Sequence, residues 1–123
     1  MSTILVTGGA GYIGSHTVIE LVKAGYDAVI FDNFSNSKPA VLERINRITG
    51  KQIPFMAGDI RSREQLEAVF SAYKIDGVIN FAGLKAVGES VKKPLEYYDN
   101  NVNGARTLLS VMREFNCLNF IFS

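Results

Sequence analysis

The 123-residue sequence predicts a doubly wound α/β fold, with a parallel sheet of five strands alternating with four helices. Three observations carry this expectation. Short and nearly continuous apolar runs recur along the chain, as expected of strands covered on both faces. The longer segments between them repeat apolar residues every three or four positions, as one helix face does. A glycine-rich turn joins the first apolar run to the first periodic segment, where sheets of this kind hold a ligand.

The apolar runs lie at residues 4–6, 28–31, 53–57, 78–81 and 120–122. Between the first two, Val18, Leu21 and Val22 form the stripe of a first helix. A second stripe consists of Val41, Ile45 and Ile48, with Pro39 helping to start that helix and Gly50 ending it. Ser62 and Gln65 match a capping box, and Leu66, Val69, Phe70 and Tyr73 follow at helical spacing. A fourth stripe, Tyr98, Val102, Ala105, Leu109 and Met112, belongs to a long helix opened by Pro94. Pro54 sits inside the third run. It would remove a ladder hydrogen bond from a central strand but is tolerated at an edge. In the strand order 3-2-1-4-5-6 the third strand is an edge, so residue and topology agree.

Composition narrows the function. Hydrophobic residues make up 47% and charged residues 20%, enough for a packed core. A net charge of +1, from 13 basic and 12 acidic side chains, gives no electrostatic case for nucleic acid or an anionic membrane as partner. No apolar run approaches the roughly 18 residues of a membrane span, and the amino terminus lacks a signal-peptide pattern. A soluble cytoplasmic protein is expected. Cys117, the single cysteine, reads as a small core residue, and His16 as a structural or surface residue. No cluster of His, Cys, Asp and Glu has metal-ligand spacing.

The chemistry concentrates where strands give way to helices. Gly8, Gly11 and Gly14 have the spacing G-x-x-G-x-x-G, and Gly9, Gly11 and Gly14 also satisfy G-x-G-x-x-G. Such a turn needs a tight bend, a backbone bare enough to touch a pyrophosphate, and close helix–strand contact. The helix start adds free N–H groups and a dipole that attract phosphate. Asp32 ends the second strand 18 residues after Gly14, where an acid accepts hydrogen bonds from the adenosine ribose. Asp59 follows the third strand, where it could meet an adenine amino group, with Ile60 packing on the ring. Phe81, Ala82 and Gly83 end the fourth strand at the switch point of the sheet, and Lys85 could reach a phosphate or ribose. Plainer readings stand beside these: Asp32 as a turn or cap residue, Asp59 as a strand-end turn, Lys85 as a solvated surface lysine.

Three stretches resemble the extended short-chain dehydrogenase/reductase family, and within it the UDP-glucose 4-epimerases. The first is Thr7-Gly8-Gly9-Ala10-Gly11-Tyr12-Ile13-Gly14-Ser15-His16-Thr17. The second is Asn80-Phe81-Ala82-Gly83-Leu84-Lys85-Ala86-Val87-Gly88-Glu89-Ser90. The third is Lys93-Pro94-Leu95-Glu96-Tyr97-Tyr98-Asp99-Asn100-Asn101-Val102-Asn103-Gly104. The resemblance implies a Rossmann-type sheet with NAD as cofactor. It implies cofactor contacts from Tyr12 and Ile13, from Asp32, Asn33, Phe34, Ser35, Asn36 and Ser37, and from Asp59 and Ile60. It implies further contacts from Phe81, Ala82, Gly83, Leu84 and Lys85, and from Asn100.

The reaction the resemblance implies is a redox isomerisation of a UDP-sugar. A tyrosine takes the proton of the sugar 4-hydroxyl, and the hydride at C4 passes to tightly held NAD. The 4-keto sugar then turns over and recovers the hydride on its other face. The family's base lies in Tyr-x-x-x-Lys, with a helper Ser/Thr just after the fifth strand. None of the five tyrosines here is followed by Lys four positions on, so no catalytic residue is named. The sequence reaches Ser123 at the fifth strand, and the expectation is an incomplete Rossmann segment over 1–123, truncated before the sixth strand. The sugar-nucleotide domain is expected to be absent and the segment inactive by itself. A homodimer is expected for the intact parent, paired through the helix at about 94–115. A related 4,6-dehydratase, a UDP-N-acetylhexosamine 4-epimerase and a non-catalytic nucleotide-sensing module remain the alternatives.

Overall fold

The computed structural model describes residues 2–10, 12–33, 40–81 and 104–122. Nine elements follow one another: β1 (Thr3–Thr7), α1 (Tyr12–Lys23), β2 (Asp27–Asp32), α2 (Ala40–Thr49), β3 (Phe55–Ala57), α3 (Arg63–Ala72), β4 (Gly77–Asn80), α4 (Gly104–Glu114) and β5 (Phe120–Phe122). The strands form one sheet in the order β3-β2-β1-β4-β5, and every pairing is parallel. The doubly wound expectation is met. The chain winds outward from β1 to β3, then returns to β4 on the other side of β1. The carboxyl ends of β1 and β4 therefore flank the switch point.

The apolar runs are continuous because β1 and β2 feed two layers. Leu5, Val29, Phe31 and Val78 pack with Leu66, Val69 and Phe70 of α3 and Leu108, Val111 and Met112 of α4. Val6, Ala28 and Ile30 point the other way, toward Val18 of α1 and Leu42 and Ile45 of α2. Each such side chain, fully buried, contributes about 1.5–3 kcal/mol. Cys117 joins the first layer as a buried thiol, and burial raises its pKa.

The edge position of β3 accommodates Pro54. The strand begins two residues later than the apolar run, at Phe55, just after the proline, which has no N–H for a ladder. Pro54 still contributes its carbonyl, which accepts from Ile30 N at 2.9 Å. Ser62 caps α3 as expected, its hydroxyl accepting from Gln65 N. Arg63 ties α3 to α4, donating to Ser110 Oγ and to the carboxylate of Glu114.

Two helix stripes need correction. Ile48 is 51% exposed; α2 buries the expected Ile45 together with Leu42. Leu109 is 46% exposed, while α4 buries Gly104, Leu108, Val111 and Met112. Tyr98 and Val102, and the start of that helix at Pro94, lie outside the described residues. Neighbouring helix positions point about 100° apart, so periodicity locates a stripe but not which of two adjacent leucines faces the sheet. We expect Leu108→Ala to lower stability by about 2–5 kcal/mol in urea unfolding. Leu109→Ala should change it by less than about 0.5 kcal/mol in the isolated chain.

Candidate functional site

Four segments converge at the carboxyl edge of the sheet: the β1–α1 loop, the end of β2, the β3–α3 turn and the end of β4. Gly8 carries the loop out of β1 with φ of 75°, a conformation that strains any residue with a Cβ. Its N–H reaches Phe31 O at 2.8 Å, one step beyond the β1–β2 ladder. Gly14 lies where the first turn of α1 crosses that loop. A methyl group there would collide with the Gly8 carbonyl oxygen and crowd the α-carbon of Gly9. The two glycines thus work as a pair, one bending the chain and the other letting the helix sit on the bend. Gly11, between them, lies outside the described residues.

Asp32 ends β2 and is 7% exposed. Its carboxylate accepts from Ala10 N at 3.0 Å, and its carbonyl accepts from Gly58 N at 3.0 Å. One residue therefore holds both the glycine loop and the β3–α3 turn. A carboxylate offers about four lone-pair sites, so the bond to Ala10 does not exhaust it. Asn33 follows, exposed to solvent.

Asp59 sits on the β3–α3 turn. Arg61 donates to it from its backbone N at 2.8 Å, from Nε at 3.1 Å to each oxygen, and from Nη2 at 2.7 Å. The Arg61 side chain holds the Asp59 carboxyl below its ordinary value of 3.8. The Arg61 backbone N–H, the Arg61 charge and the Asn33 side chain add to the effect, and burial opposes it. Gln65 was expected to complete a capping box on Ser62 N. Instead its Oε1 accepts from Asp59 N at 2.8 Å, while Ser62 N turns to Asp59 O. Ile60 is 4% exposed and belongs to the core with Leu66 and Phe70. Its side chain serves the core, and what the turn presents at this position is mainly backbone.

At the switch point, Thr7 and Asn80 are paired in register and both are buried. Thr7 Oγ1 donates to Asn80 Oδ1, and Phe81 N donates to Thr7 O at 2.8 Å. Neither Thr7 nor Asn80 stood among the expected site residues. The sign that could have found them is a polar residue closing each of two apolar strands. Phe81 is half-buried against the α1 layer. Ile13, in the first turn of α1, is 57% exposed; of Tyr12 only the backbone is described. Phe34, Ser35, Asn36, Ser37, Ala82, Gly83, Leu84, Lys85 and Asn100 lie outside the described residues. No group of three metal-ligating side chains occurs among the described residues, and no described helix is long and apolar enough to cross a membrane.

Residues 5–123 match the family model described as GDP-mannose 4,6 dehydratase. The chain belongs to that family. Among its relatives, a UDP-glucose 4-epimerase of Yersinia pestis is 58% identical over 120 residues, covering 98% of this chain and 36% of that protein. A UDP-glucose 4-epimerase structure from Bifidobacterium longum, in complex with NAD+ and UDP, is 54% identical with a TM-score of 0.96. It covers 99% of this chain and 36% of the other. A UDP-glucose-4-epimerase from Stenotrophomonas maltophila, with bound NAD and formylated UDP-arabinopyranose, is 46% identical with a TM-score of 0.96 over the same shares. The chain thus spans about a third of the length of these family members.

Two outcomes follow from the geometry. Gly14→Ala should cost about 1–3 kcal/mol of stability, since the loop and helix must separate to admit the methyl group. Asp59 has a depressed pKa, so its contribution is present above pH 3.8 and is lost as pH falls through the lower folded-state value. Urea titrations between about pH 5 and pH 2 should therefore show falling stability, and Arg61→Gln should flatten that fall.

Proposed function

We propose that residues 1–123 form the NAD-binding part of a UDP-glucose/UDP-galactose 4-epimerase. The observation that carries the reading is Asp32, a buried acid at the end of β2 that also clamps the glycine loop. Around it the donor set suits a dinucleotide. The start of α1 offers backbone N–H groups to a pyrophosphate. Asp32 offers an acceptor to ribose hydroxyls. Asp59 offers one to the adenine amino group, with the backbone of Ile60 beside it. Ile13 presents an exposed apolar surface on the same edge, suited to cover a ligand. Phe34, Ser35, Asn36, Ser37, Ala82, Gly83, Leu84, Lys85, Tyr12 and Asn100 complete the proposed contact set, on resemblance. NAD, when bound, supplies the redox chemistry at sugar C4. The residues of this chain bind and orient it, and the proposed proton-transfer residues lie outside 1–123.

The 54–58% identity to proteins named as epimerases favours that activity over the dehydratase named in the family model. One fold hosts several chemistries, and the active-site residues decide among them. The UDP-sugar is proposed as the substrate of the intact protein, a homodimer through the region of α4 as its assembly, and the cytoplasm as its location. Light scattering on a version extended to the relatives' length should give a dimer mass. That version should interconvert UDP-glucose and UDP-galactose, while residues 1–123 alone should not. Turnover by 1–123, or none by the extended version, overturns the assignment.

NAD should be preferred to NADP. Asp32 occupies the place of a 2′-phosphate, and two unit charges about 4 Å apart at an effective dielectric of ~20 repel by about 4 kcal/mol before solvent weakens the effect. In calorimetric titrations NADP should bind at least about tenfold more weakly than NAD, and Asp32→Ala should lose both the preference and most of the NAD affinity. Equal affinity for both cofactors in the unaltered protein would falsify the role of Asp32.

A further inference from the structure

Gly104 is the first described residue of α4 and is buried. What it touches is the β3–α3 turn. A methyl group on Gly104 would stand 2.5 Å from Ile60 Cδ1, 2.6 Å from Ile60 Cγ1 and 3.6 Å from Arg61 Cγ. Non-bonded carbon atoms do not approach one another so closely, so some group must move. Ile60 has little freedom to do so. It is branched at Cβ, which restricts its rotamers, and it is packed into the core with Leu66, Val69, Phe70 and Leu108.

The turn on the other side of Ile60 is short and fully tied. Asp59 N is held by Gln65, Ser62 N by Asp59 O, and the Asp59 carboxylate by Arg61. A push on Ile60 therefore passes along one peptide unit to Asp59. The bare α-carbon of Gly104 lets α4 rest directly on Ile60, the residue next to Asp59.

We propose that Gly104 is a positioning residue for the adenine end of the cofactor site, acting through Ile60 on Asp59. The proposal rests on the reading of Asp59 as acceptor for the adenine amino group. The two are separable with nicotinamide hypoxanthine dinucleotide, which carries an oxygen where NAD carries that amino group. A carboxylate placed to accept from an amino group rejects the oxygen analogue, since two acceptors then face each other.

The experiment is calorimetric titration of NAD and of the hypoxanthine analogue into the unaltered protein, Gly104→Ala, and Gly104→Ala/Ile60→Ala, with circular dichroism melts of each. The unaltered protein should prefer NAD by about tenfold or more. Gly104→Ala, still folded, should lose about five- to tenfold in NAD affinity and most of that preference, with the analogue changing little. Removing the Ile60 branch in the double variant makes room for the new methyl group and should restore preference and NAD affinity toward the original values. A folded Gly104→Ala with unchanged preference overturns the proposal. So does an equal loss for both dinucleotides, which marks a general structural defect. If Gly104→Ala does not fold, the double variant decides: recovered folding with recovered preference supports the proposal, and anything less overturns it. An unaltered protein that binds both dinucleotides equally removes the reading of Asp59 itself, and this proposal with it.

Discussion

The hydrogen bond from Ala10 N to the Asp32 carboxylate holds the glycine loop against the sheet. It adds to the bond from Gly8 N to Phe31 O, which ties the start of the loop to β2. Asp32 is nearly enclosed, so its charge needs partners to offset desolvation. The loop supplies one of them. The same residue receives Gly58 N on its carbonyl, and so anchors the turn that bears Asp59. The two acids are thereby tied into one frame, Asp32 through backbone N–H groups and Asp59 with the added hold of the Arg61 and Gln65 side chains. Contacts that are in place before a ligand arrives lower the ordering cost of binding.

The switch point shows the same economy. Thr7 and Asn80 close β1 and β4 with a buried hydrogen bond, each following an aliphatic run, residues 4–6 and 78–79. Their polarity is tolerated because it is satisfied. Removing one partner alone would leave the other buried without it, at about 1–3 kcal/mol.

Much of this was legible in the sequence, for identifiable reasons. Continuous apolar runs specify strands covered on both faces, and Pro54 placed β3 at an edge. Gly8, Gly14 and Asp32 were legible because their roles are local: each answers to a bend or a strand end within one β-α-β unit. Gln65 was half legible. Its spacing from Ser62 announced a capping box, but its side chain serves Asp59, since the turn before α3 brings that N–H nearer. Leu42 and Leu108 were missed in favour of neighbouring residues, because the rotation of a helix about its axis is set by the layer it meets. Thr7, Asn80 and the contact of Gly104 with Ile60 depend on segments distant in the chain, and periodicity carries no information on such meetings.

The central place of β1 also orders events in time. Its pairing with β2 joins segments linked by a single helix, whereas Thr7 meets Asn80 across a separation of 73 residues. Loop closure over the longer span is entropically dearer and slower. On a ribosome, β1, α1, β2 and α2 emerge and can assemble before β4 has been made. The ligand-binding edge straddles both halves, so the clamp at Asp32 belongs to the early half of the process and the junction at Asn80 to the late one. Until β4 arrives, one long side of β1 remains an unpaired apolar edge, and it is there that a nascent chain of this protein is most exposed to association with its neighbours.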